Sequence, residues 1–71
     1  MARKGTIKFI NPRCGGYGFV IDDEDGQEYF FGQGDTTEYV MAGDKVMFDL
    51  IQGRKGLKAT TLVKLEKYGQ D

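Results

Sequence analysis

The 71-residue sequence predicts an all-β fold, a small five-stranded antiparallel barrel, on three observations. Five short runs of β-branched and aromatic residues recur at fairly regular spacing. Turn-forming pairs separate them, and no stretch reads as a helix longer than one turn. Eleven glycines and one proline fit a chain built of strands and turns.

The elements follow in order. "GTIKFIN" is β-branched and aromatic and stops at Asn11-Pro12. "YGFVI" is the second strand, and "DDEDGQ" holds an Asp25-Gly26 hairpin signal before the third, "EYFF". "GQGDTTEY" is polar and turn-rich, with room for one helical turn. "KVMFDLI" alternates Val46, Phe48 and Leu50 on one face with Met47 and Asp49 on the other. "QGRKG" is a second hairpin turn and "LKATTLVKL" the fifth strand. Residues 1–71 read as one domain with its core at about 4–65 and residues 66–71 as a frayed tail.

Ten basic and eleven acidic residues leave a net charge of −1, which argues against a protein that grips duplex DNA mainly through phosphates. The acids crowd into "DDED", read as a solvated turn, while bases sit at "ARK", Lys8, Arg13 and "GRKGLK". With one cysteine, Cys14, no intramolecular disulfide can form, and apolar packing must hold the barrel. No apolar run approaches the roughly 18 residues of a membrane span, and "MARKGTIKF" lacks the core of a signal peptide. A soluble, cytoplasmic protein is expected.

Strand alternation then sorts the faces. Val20, Tyr29, Phe31, Val46, Phe48 and Leu50 can fill most of one interior. Tyr17, Phe19 and Phe30 are left outside on strands joined by a hairpin, and Phe9 on the first strand can join them. Neighbouring exposed rings mark a contact surface. With Lys8 and Arg13 beside them, and with Gly16 and Gly18 letting a nucleotide lie close, they form a stacking platform for single-stranded bases.

The order and spacing of "KGTIKFIN", "GYGFVIDD", "DGQEYFF", "AGDKVMFDL" and "GRKGLKATTL" resemble those of a bacterial-type cold-shock domain, over about residues 4–63. "GYGFV" is similar to the family's first ribonucleoprotein motif and "EYFF" to its second. The resemblance implies an OB-type barrel that binds single-stranded RNA and DNA and acts as an RNA chaperone or antiterminator. It further implies that Phe9, Tyr17, Phe19 and Phe30 stack bases and that Lys8 and Asn11 make polar contacts. Read from their charge, Lys8, Arg13 and Lys58 are the candidate phosphate contacts. The second motif diverges: Gly32-Gln33 stand where the family has a histidine and then usually a phenylalanine. Two lost platforms would cost about 2–6 kcal/mol if the terms added, so weaker binding than in a full-platform relative is expected. About three neutralised phosphates would give a salt slope near −2.

A second reading turns the same aromatic face to protein recognition or dimerisation, with weak or no nucleic-acid binding. Strand exchange through the loop between the third and fourth strands is a route to a dimer; otherwise a monomer is expected. An enzyme is the least supported class, since the chain has no histidine and no serine. No catalytic residue, cofactor or metal site is read. "DDED" lacks the alternating ligands of a calcium loop, and "GGYG" lacks the third glycine and the helix of a dinucleotide site.

Overall fold

Alternating inward and outward side chains are what a small barrel needs, and the chain closes on itself accordingly. The structure, a computed structural model, describes residues 2–11, 16–36 and 38–65. The strands are β1 (Arg3–Asn11), β2 (Tyr17–Asp22), β3 (Glu28–Gly32), β4 (Lys45–Gly53) and β5 (Gly56–Lys64), with a 3-10 turn at Gln33–Asp35. They pair in the order β1-β2-β3-β5-β4 as a closed barrel, β1 returning to β4. The all-β, five-stranded barrel expected from the sequence is thus observed. The β3–β5 pair runs parallel and the other four pairs antiparallel.

Val20, Phe31, Val46 and Phe48 are buried as alternation requires, together with Ile7, Val40, Ala59 and Leu62. Leu50 and Tyr29 pack against this core but are only partly buried. Tyr29 stays at the rim because its hydroxyl donates to Asp25 Oδ2 at 3.0 Å.

Two irregularities bend the sheet. On β1 the register steps from Ile7↔Val20 to Phe9↔Phe19, so Lys8 is an extra residue, a β-bulge. On β5 a second step faces β4 between Met47 and Asp49, and there Thr61 adopts φ 53°, a conformation a β-branched residue rarely takes.

The structure corrects two expectations. Gly18 is buried, and a Cβ there would lie 2.5 Å from the Phe9 carbonyl oxygen and 2.7 Å from Phe31 Cζ. Its missing side chain makes room for the core ring of Phe31, not for a ligand. The "DDED" stretch is not wholly solvated either, because Asp22 is buried. Asp22 accepts hydrogen bonds from Arg3 Nε at 2.5 Å and from the backbone N–H groups of Glu24 and Asp25, tying β1 to the hairpin. Among the described residues, no helix is long and apolar enough to cross a membrane.

Candidate nucleic-acid interface

Outward positions on β1, β2 and β3 bring four rings together. Phe19 pairs directly across the ladder with Phe30, ring centroids 5.9 Å apart and edge-on. Tyr17 lies 6.1 Å from Phe30 in a near-parallel stack and 6.4 Å from Phe19. Phe9 joins from β1, 6.0 Å from Tyr17. Without the bulge at Lys8, strict alternation would turn Phe9 to the side of buried Ile7; with it, Phe9 is exposed. Phe9, Tyr17 and Phe30 each leave about two-fifths of their surface open (43%, 38% and 43%), while Phe19 is half-buried among them. Four contacting rings with open faces form one apolar surface across three strands. All four expected platform residues are in it.

The polar residues divide differently. Lys8 is exposed, but its Nζ lies 2.7 Å from Glu28 Oε2, so its charge is already shared. Asn11, opposite Tyr17 at the end of β1, is half-buried. Lys58 lies opposite Phe30 in the parallel register, and its Nζ is 2.7 Å from Asp35 Oδ2. Arg13 and Cys14 lie outside the described residues.

Asp35 organises the edge of the platform. It accepts the Gly32 N–H at 2.8 Å and the Thr60 hydroxyl at 2.8 Å besides Lys58. Burial alone would raise its carboxyl, but the hydrogen bonds from Lys58, Gly32 and Thr60 outweigh that and hold it below the usual carboxylate range. Gly32, on the outer face opposite Tyr17, leaves an open slot: a Cβ there would meet only Asp35 Oδ2, at 3.5 Å.

Sequence reasoning singled out Lys58, which pairs with Phe30, but missed two further cations of the groove beside it. Arg54 and Lys55, read as ordinary surface, line a groove with Phe30, Leu57 and Lys58. The β3–β5 pairing brings residue 58 to residue 30, and no local pattern announces so distant a contact. The glycines of "GRKG" were the only signal, marking the turn that carries these bases to the platform's edge.

Comparison with known proteins agrees with this geometry. The family model described as the 'Cold-shock' DNA-binding domain matches residues 3–65. The chain is similar to the cold shock-like protein CspD of Escherichia coli (strain K12), 36% identical over 67 residues, covering 89% of each chain. It is also similar to the cold shock protein CspB of Bacillus caldolyticus, 34% identical over 67 residues, covering 89% of this chain and 98% of that one. Against the cold shock-like protein CspG of Shewanella violacea it is 34% identical over 65 residues, covering 86% of this chain and 91% of the other.

Proposed function

Because the chain belongs to the cold-shock domain family and is a nucleic-acid-binding protein, we propose that it binds single-stranded RNA and DNA on the four-ring face and acts as an RNA chaperone or antiterminator. The contiguous cluster of Phe9, Tyr17, Phe19 and Phe30 carries this reading. A base must be unpaired and unstacked before a ring can stack on it, so the surface selects single strands. Holding such strands weakens hairpins without hydrolysis of any cofactor. Lys8 and Arg13 are the cations assigned to the strand's backbone, Lys58 is assigned to the strand where it passes Phe30, and Asn11 is assigned a polar contact. In this reading the protein works as a cytoplasmic monomer.

The test is fluorescence anisotropy of a labelled pyrimidine heptamer, as DNA and as RNA, at two salt concentrations. Saturable binding is expected, and Phe30→Ala should weaken it roughly 5- to 150-fold while the fold persists. Equal binding by wild type and Phe30→Ala would remove the platform from the mechanism. Binding to a protein partner or a second copy that Phe30→Ala disrupts, with no oligonucleotide binding, would favour the protein-recognition reading.

A further inference from the structure

We propose that the groove between Phe30 and the β4–β5 hairpin is a base-selective subsite, in which Lys58 donates a hydrogen bond to a ring carbonyl of the base lying against Phe30. The subsite would take uracil, thymine or guanine in preference to bases that present an amino group there. This inference rests on the single-strand reading above.

The groove has a volume of about 470 Å³, enough for a nucleotide, and Phe30 is both its wall and the edge of the ring cluster. Gly53 and Gly56 line it without side chains, which keeps it open, and Leu57 adds an apolar surface that is 53% exposed. A base leaving the ring face at Phe30 therefore meets Lys58 next, since the two residues face each other across β3 and β5.

The state of Lys58 decides what it can read. Its stem packs over Gly53, where a Cβ would lie 3.2 Å from Lys58 Cδ. Its ammonium is anchored on Asp35, which is itself fixed by Gly32 and Thr60. A lysine whose charge is already compensated is a poor phosphate anchor. It is a good fixed donor, because an ammonium has three N–H groups and Asp35 engages one. Donors without acceptor capacity match a carbonyl and oppose an exocyclic amino group. Phosphate contact at this edge falls instead to Arg54 and Lys55, which lie in the same groove and form no ion pair with a described residue.

Bases that differ by carbonyl against amino at one ring carbon, and in the proton on the ring nitrogen beside it, test the effect. Heptamers of deoxyuridine and deoxycytidine differ in carbonyl against amino at one ring carbon, as do heptamers of deoxyinosine and deoxyadenosine, with similar stacking area within each pair. In anisotropy titrations the carbonyl member of each pair should bind about fivefold more tightly. Lys58→Met keeps the stem and should bring both ratios near one, with deoxyuridine binding weakened by about the same fivefold. Asp35→Asn, which loosens the ammonium, should reduce the ratios too. Arg54→Gln should weaken all four strands alike and leave the ratios unchanged. Far-UV circular dichroism checks that each variant is folded, and the wild-type ratios need no variant at all. Equal affinities within both pairs for wild type, or ratios that survive in folded Lys58→Met, would overturn the inference while leaving the platform standing. No binding by any heptamer would overturn both.

Discussion

The Phe9 ring stands 6.0 Å from the Tyr17 ring because β1 carries one residue more than β2 at Lys8. That extra residue turns Phe9 out of the interior side that Ile7 occupies. The bulge thus supplies the fourth ring of the surface and bends β1 where the barrel closes.

Phe9 and Tyr17 should therefore act together. Phe9→Ala and Tyr17→Ala are each expected to cost about 1–3 kcal/mol in binding of a pyrimidine heptamer. The double variant should lose less than the sum, by at least about 0.5 kcal/mol, because each ring positions the other. A double-mutant cycle by anisotropy measures this; strict additivity would mean that the rings serve separate bases.

Gly32 is a place where affinity can be raised. Its backbone is extended, at φ −105° and ψ 178°, and a side chain there would project into open space beside Tyr17. Gly32→Phe should tighten heptamer binding at least about fivefold by adding a stacking surface. The melting temperature should change little. Unchanged affinity would show that the strand does not pass this slot.

Glu28 competes for Lys8. Their 2.7 Å ion pair must open before Lys8 can neutralise a phosphate. Glu28→Gln should strengthen binding and make the slope of log K against log salt more negative by about 0.7, the value for one further single-strand phosphate contact. An unaltered slope would place the strand away from Lys8.

Gly18 separates folding from binding. In Gly18→Ala the added methyl group would press on the Phe9 carbonyl and the Phe31 ring, one of them backbone that cannot swing aside. The variant should lose about 2–3 kcal/mol of stability, roughly 10 °C or more in melting temperature for a domain this small. Its folded fraction should bind the heptamer normally, and a calorimetric melt with a titration below the transition tests both halves.

Asp22 makes stability depend on acid. Burial pushes its carboxyl up, but the Arg3 hydrogen bond and the N–H groups of Glu24 and Asp25 more than reverse this, leaving it below its ordinary value. A depressed carboxyl contributes stability that is present above the unfolded value, near pH 3.8, and is lost as pH falls through the folded one. Melting temperature should thus fall on acidification below about pH 4, more steeply for wild type than for Asp22→Asn. At pH 7 Asp22→Asn should already melt lower, since Arg3 loses its charged partner.

Much of this molecule was legible in its alternation. Val20 against Tyr17 and Phe19, and Phe31 against Phe30, sorted themselves into core and surface because side chains on a strand take opposite faces. Phe9 was harder, as a bulge breaks that parity and nothing in "KFIN" marks one. Ile7, Val40, Ala59 and Leu62 escaped the expected core because closure, not local pattern, determines what faces inward. Asp22 resembled its acidic neighbours until Arg3 was brought beside it from the far end of β1, and Arg54 resembled any surface arginine until β5 paired with β3. Each miss is a long-range pairing, where sequence pattern carries least information.

Among the described residues, Phe9, Tyr17 and Phe30 lie exposed on the outside of a closed barrel. On the proposed stacking mode, a base there would have one face on protein and the other in water. The strand would be displayed, not enclosed, so a complementary strand could reach its pairing edges while it is still held. Annealing would then begin at one end and peel the protein off ring by ring. Such a surface would keep a strand unfolded only until its proper partner arrives.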